Sequence, residues 1–371
     1  MINHKKFQIG LAGVLLAVLT ISGNPALAAG FEKSVLWSGK WTALGGAAAS
    51  SVSGPDALYF NPAGLGGSTG LQINLNGAAT GAQFQAPLVP GQGTVNDTSQ
   101  FLLPFAGFVS YGVTSHFTVG AGIYVGGGTK AEYDNISWSS LNSNLASLTT
   151  TDRASLSITE VSVGAGYEII DGLKVGVGYR ILLGNLDLQY SGAQPIVAGS
   201  GQYSVAQYNM LGMSGTRFNG FRAGLQYAPK DSRWGVGAEF RSAVNFTLTN
   251  NAVSASVLVP AAGITSPASL TGGQGAVTNS APMNVSIGAH FDIIPATWRV
   301  MGEYTFTQYH DNVSLGVSAS VVNPLTGTTV FPDIYQGWNN MHNLRFGTEY
   351  KLASDLALRA GYVWTSQVVP N

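Results

Sequence analysis

The sequence predicts an all-β chain, a transmembrane antiparallel β-barrel with an N-terminal plug inside its lumen, and three observations predict it. Charged residues make up only 9% of 371 positions, against about 25% in soluble domains, so the surface lacks the groups that hold a protein in water. After the first thirty residues no run approaches the ~18 apolar residues a helical span needs, and mean hydropathy is only slightly positive. Apolar residues instead recur at alternate positions, and a closed barrel is the other way to satisfy every backbone group inside a bilayer.

The first element is a secretion signal over residues 1–28. Lys5 and Lys6 supply positive charge, an apolar core runs through residues 7–21, and Ala26-Leu27-Ala28 forms an A-x-A cleavage site before Ala29. Its removal takes two Lys and no acid, so the formal charge moves from −1 to −3. No basic patch is present for nucleic acid. Cysteine is absent, which excludes disulfides and thiolate metal sites.

Residues 29–69 read as the plug. This stretch is rich in Gly, Ala and Ser and closes on Tyr59-Phe60-Asn61-Pro62-Ala63-Gly64-Leu65. Gly permits close backbone approach, Ala and Ser fill narrow space, and Pro62 after Asn61 fixes a turn; the composition suits neither a helix nor a strand.

Residues 70–371 read as the barrel. Leu71, Ile73 and Leu75 alternate with Gln72, Asn74 and Asn76; Trp298, Val300, Tyr304 and Phe306 alternate with Arg299 and Glu303; Leu344, Phe346 and Tyr350 alternate with Arg345 and Glu349; Leu358, Tyr362 and Trp364 alternate with Arg359 and Gly361. One face suits lipid and the other a polar lumen. Short links are expected near residues 113–116, 169–172, 229–233, 293–297 and 353–355. Long ones are expected near 82–100, 126–153, 191–215, 249–281 and 316–341. Short turns at one rim and long loops at the other mark an outer-membrane barrel, here of about eleven strands.

Ala29-Gly30-Phe31, the small-residue run and Asn61-Pro62-Ala63 give the chain a start that resembles the outer-membrane long-chain fatty acid transporters, FadL and its hydrocarbon-uptake relatives. Near the end, Trp338-Asn339-Asn340, the strand through Leu344-Arg345-Phe346 and Leu358-Arg359-Ala360-Gly361-Tyr362 resemble a late hairpin of that family, followed by a loose match at Ser366-Gln367-Val368-Val369-Pro370. The resemblance implies about fourteen strands, a chain cut short near strand eleven, a bacterial outer-membrane location and passive uptake of hydrophobic molecules. It also implies a kinked third strand through which the wall opens sideways, and apolar outer loops that capture the substrate.

The candidate site residues follow. Asn61, Pro62 and Ala63 are candidates for a gate in the plug. Gly126, Gly127 and Gly128 make a bend that by position ends the third strand, either a barrel corner or the kink of the lateral opening. Alternation points Arg222, Arg299, Arg345 and Arg359 inward, where they pair with lumen carboxylates, unless one is left to hold a fatty-acid carboxylate by a bidentate bond. Met210, Leu211 and Met213, with Val257 and Leu258 in the apolar stretch 252–262, are candidates for the capture groove, Met being adaptable to varied shapes.

No chemistry competes with transport. There is no G-x-S-x-G: Gly212-Met213-Ser214-Gly215-Thr216 fails at its last position. The five His are scattered without metal-ligand spacing, and Gly126–Gly128 is not followed by the Lys-Ser/Thr of a P-loop. The expected partners are a hydrophobic small molecule and outer-membrane lipid, with no cofactor, no metal and no enzyme activity, and the protein is expected to act as a monomer. Long-chain fatty acid is the first substrate reading and aromatic hydrocarbon the next. A general porin would lack the plug and the apolar loops; a barrel serving only as an anchor would be too small to leave room inside.

Overall fold

The computed structural model describes residues 37–98, 100–196, 201–311, 314–323 and 327–369. The signal and the first part of the plug lie outside these residues. Among the described residues eleven staves form the wall: β1 Leu71–Gly77, β2 Phe105–Gly112, β3 Phe117–Ser137, β4 Thr149–Ile170, β5 Leu173–Pro195, β6 Tyr203–Tyr227, β7 Trp234–Arg241 continued by Val244–Asn250, β8 Gly275–Ala281 continued by Asn284–Ile294, β9 Trp298–Thr307, β10 Met341–Lys351 and β11 Ala357–Thr365. Each pairs antiparallel with the next. Among the described residues β1 and β11 each have a ladder on one side only.

Alternation of burial follows the sequence pattern. Leu71, Ile73 and Leu75 are exposed on the outer face, while Met301, Glu303, Thr305 and Thr307 of β9 are buried on the inner one. The short links fall where they are expected, between β2 and β3, β4 and β5, β6 and β7, β8 and β9, and β10 and β11.

The opposite rim differs from the sequence reading. Residues 126–153 and 191–215 are mostly strand, because β3 through β6 run for 21, 22, 23 and 25 residues, about twice the length a tilted span needs. Above the bilayer both faces of a strand meet polar surroundings, so Ser, Thr, Asn and Gln replace the apolar alternation while the backbone ladder continues. Gly126–Gly128 therefore does not end the third strand; β3 continues to Ser137 through a register shift between Val125 and Gly127. The stretch 252–262 is likewise a hairpin arm, Ser254–Val259 paired with Ile264–Thr271 and with the upper end of β6.

The plug fills the short-turn half of the lumen with helical turns rather than coil: α1 Gly39–Ala43, α2 Ala57–Phe60 and a 3-10 turn Pro62–Leu65. Pro62 suits the first position of that turn, where no amide hydrogen is required, and the Asn61 side chain caps it by accepting from the Ala63 amide at 3.1 Å. Trp37, Trp41, Leu44, Leu58, Tyr59 and Leu65 are buried against Phe108 and Tyr124 of the wall.

A layered lumen as candidate functional site

The inner face is stratified by cross-strand register. One row in the lower half is Gln226, Gly237, Gly288, Glu303 and Arg345 on β6 to β10. The next is Gly166, Gly176, Gly224, Glu239, Ser286, Thr305 and Asn343. Above it stand Arg222, Arg241, Asn284, Thr307 and Met341.

Glycines in the lower rows seat the plug. A Cβ on Gly176 would collide with the Pro62 carbonyl and the Ala63 amide, and one on Gly224 with the Asn61 side chain. Asn61 is fully buried; its Nδ2 donates to the carbonyls of Ala49 at 2.7 Å, Leu225 at 3.1 Å and Ala238 at 3.2 Å. Burial pushes the Asp56 carboxyl of the plug above its usual range, opposed by hydrogen bonding to Ser38 and Trp41.

Above the plug lies a polar layer. Arg222 stacks on the Tyr59 ring at 4.7 Å, donates to the Tyr59 carbonyl, and pairs with Glu160 at 3.1 Å and Glu239 at 3.6 Å. Arg180 binds Glu160 through Nε and Nη2 at 3.0 and 2.8 Å, and Tyr124 donates to the same carboxylate. Arg345 meets Glu303 at 2.7 Å. Between Arg222, Arg241, Glu239, Glu303 and Arg345 a cavity of about 30 Å³ is open to water centres, enough for one or two waters and not an organic ligand.

Met341 lines that cavity and also belongs to the apolar cluster above it. The cluster contains Leu182, Leu186, Met210, Met213, Phe246, Leu248 and Phe331. Met210 and Met213 are an odd number of residues apart, so a regular strand would send them to opposite faces. A bulge at Leu211-Gly212, with Gly212 at φ +64° and its amide bound to Asp187 at 2.8 Å, turns both inward and leaves Leu211 exposed.

At β3 the wall changes. The β2 ladder ends at the pair Ala106–Tyr124, and among the described residues the next hydrogen bond to that edge of β3 comes from the Thr98 amide to Glu132 at 2.9 Å. Gly126, Gly127 and Gly128 lie in the interval, and a Cβ on Gly126 would stand beside the Glu160 side chain.

The sequence pattern of one family, described as outer membrane protein transport protein (OMPP1/FadL/TodX), matches residues 18–371. The chain belongs to the OMPP1/FadL/TodX family. Its members are outer-membrane transport proteins for hydrophobic substrates. Solved structures share the fold: the P. putida toluene transporter TodX, 19% identical over 91% of this chain and 86% of its own, with a TM-score of 0.71; a Pseudomonas aeruginosa FadL homologue, 14% identical over 92% and 82%, TM-score 0.65; and the Ralstonia pickettii toluene transporter TbuX, 17% identical over 90% and 87%, TM-score 0.64. Comparison with proteins of curated function gave no match.

Within this FadL-type barrel the candidate residues fall into separate places. All four candidate arginines have a carboxylate: Arg222 and Arg345 as above, Arg299 bidentate on Asp292 at 2.6 and 3.0 Å, and Arg359 on Glu349 at 2.5 Å. Arg299 and Arg359 are partly exposed near the short turns, away from the central cavity. Val257 packs against the Met210 and Met213 cluster, whereas its neighbour Leu258 points into a different outer cluster with Trp138 and Val205. Sequence reasoning missed Glu160, Arg180, Tyr124 and the glycine seat. The alternation Glu160-Val161-Ser162-Val163-Gly164 already carried the signal for the first, and Gly164, Gly166, Gly176 and Gly178 at inward positions carried it for the seat.

Proposed function

We propose that this protein takes up hydrophobic molecules, long-chain fatty acids first, along a path from the outer hairpin to the plug. The observation that carries this reading is the contact through Met341 of the apolar cluster with an arginine-lined cavity, an axis that suits a chain with one carboxylate end. The substrate meets Leu211 and the apolar hairpin at Val257 and Leu258, displaces side chains around Met210 and Met213, and brings its head to the layer of Arg222 and Arg345. A shift of the plug around Asn61, Pro62 and Ala63 opens the exit. The interval at Gly126–Gly128 supports a sideways one, since an apolar solute is penalised in water and not in the bilayer.

Aromatic hydrocarbon is the second reading, favoured by the carboxylate partner on every candidate arginine and by the rings at the top of the cluster. Tyr190 and Tyr208 have centroids 5.2 Å apart, and Tyr208 and Phe331 4.7 Å. The test is uptake of labelled fatty acid, labelled monoaromatic hydrocarbon and a small sugar by cells lacking their own transporters. Fatty acid alone supports the first reading, hydrocarbon alone the second, and sugar entry overturns both in favour of a porin.

A further inference from the structure

One wall row grips plug residues 48–52 from two sides, and the two sides differ in kind. Gly237 and Gly288 leave a trough between Gln226 and Glu303, and plug residues 48–52 lie across it; a Cβ on Gly237 would strike Ala49 and Ser50. At one side Gln226 Nε2 donates to the carbonyls of Ala49 and Val52 at 3.0 and 3.1 Å. At the other, Glu303 Oε2 accepts from the amides of Ala48 and Ala49 at 2.8 and 2.7 Å. The second oxygen of Glu303 is held by Arg345 Nη1 at 2.7 Å and Thr305 Oγ1 at 3.2 Å.

The Glu303 contacts are charge-assisted and the Gln226 contacts are neutral, so Glu303 is the stronger grip. It also faces the polar cavity above the plug, which Glu303 and Arg345 line and Gln226 does not. Three Arg and two Glu line that cavity, a formal excess of one positive charge, which a single monoanion would balance.

We propose that Glu303 is the latch of the plug, and that an incoming carboxylate releases it by competing for Arg345 and for the paired amides of Ala48 and Ala49. Glu303 is thus a positioning residue: its side chain stands where a ligand carboxylate would stand, and exchange between the two couples arrival in the cavity to movement of the plug. The release step rests on the transport reading above; the latch itself does not.

The absence of cysteine permits a clean test. Ser51→Cys, half-buried beside the latch, is placed in the full chain, and its maleimide labelling rate is measured in outer-membrane vesicles. Glu303→Gln is expected to raise that rate about tenfold or more, since hydrogen bonds to a charged group are lost. Lys230→Gln, at the exposed ion pair with Asp171 in the turn between β6 and β7, leaves it unchanged. Glu303→Asp keeps the charge for Arg345 but withdraws the carboxylate from the amides, so it also raises labelling; it separates loss of grip from loss of a counter-ion, with retained heat-resistant gel mobility reporting an intact barrel. Laurate is expected to raise labelling in the wild-type background and not in Glu303→Gln, while dodecanol has no effect. Unchanged labelling in folded Glu303→Gln and Glu303→Asp overturns the latch. Dodecanol matching laurate, or laurate without effect on a protein that does import fatty acid, overturns release by carboxylate. Fast labelling of Glu303→Gln in a chain that imports no fatty acid upholds the latch while removing the transport reading.

Discussion

Asn61 and Gly224 fit each other: the amide oxygen of Asn61 occupies the space a Cβ on residue 224 would need, while its nitrogen binds the carbonyl of the adjoining Leu225 at 3.1 Å. The turn of the plug and the wall are thereby matched atom against atom, 164 residues apart along the chain.

Asn61→Ala removes three donated hydrogen bonds and the cap of the 3-10 turn. One of the carbonyls it leaves is buried and two are part-buried, so the docked plug should lose about 1–3 kcal/mol. Fatty-acid uptake is expected to fall several-fold with the barrel still folded, read by labelled uptake beside gel mobility. Unchanged uptake would remove the turn as a gate.

Gly176→Ala tests the seat from the wall side. Its methyl group meets plug backbone, which cannot rotate away, so the docked state is penalised by about 1–3 kcal/mol or more. The strand itself tolerates alanine. Single-channel conductance should rise as the plug is displaced; a variant as closed as wild type would show that the seat yields.

Arg222→Gln strips the shared cation from Glu160 and Glu239, both buried. Breaking a buried ion pair costs about 3–5 kcal/mol, whereas Arg299→Gln at a partly exposed pair costs about 0–1 kcal/mol. Thermal unfolding in detergent should rank the two variants in that order.

Asp56→Asn should hold the plug at least as well as the native residue at neutral pH. Because burial raises the folded-state pKa of Asp56 above the ordinary value of 3.8, protonation favours the docked plug below that value, and the contribution is lost as pH rises through the raised one. Protease protection of the plug against pH should therefore flatten in Asp56→Asn.

Gly126→Leu fills the interval between Tyr124 and Glu132. A Cβ at residue 126 finds its nearest atom, Glu160 Cβ, at 3.4 Å, ordinary contact, so the fold should survive while uptake slows. Equal uptake would place the exit elsewhere.

The alternation of apolar and polar residues, the low share of charge and the short links determined by themselves that this chain is an outer-membrane barrel, because alternation is a local demand of lipid on one face of a strand, and the Gly, Ala and Ser of residues 29–69 marked the plug. The same rule placed Arg222, Arg299, Arg345 and Arg359 on the inner face. It failed above the bilayer, where lipid no longer distinguishes the faces and β3 to β6 continue unseen, and at the bulge that brings Met210 and Met213 together. Which inner residues meet was decided only by cross-strand register. That register sets Gly176 beside Gly224 beneath Asn61, gives each arginine its carboxylate and lays Glu303 against the plug, since partners on neighbouring staves are fixed by hydrogen bonds between segments far apart in the chain.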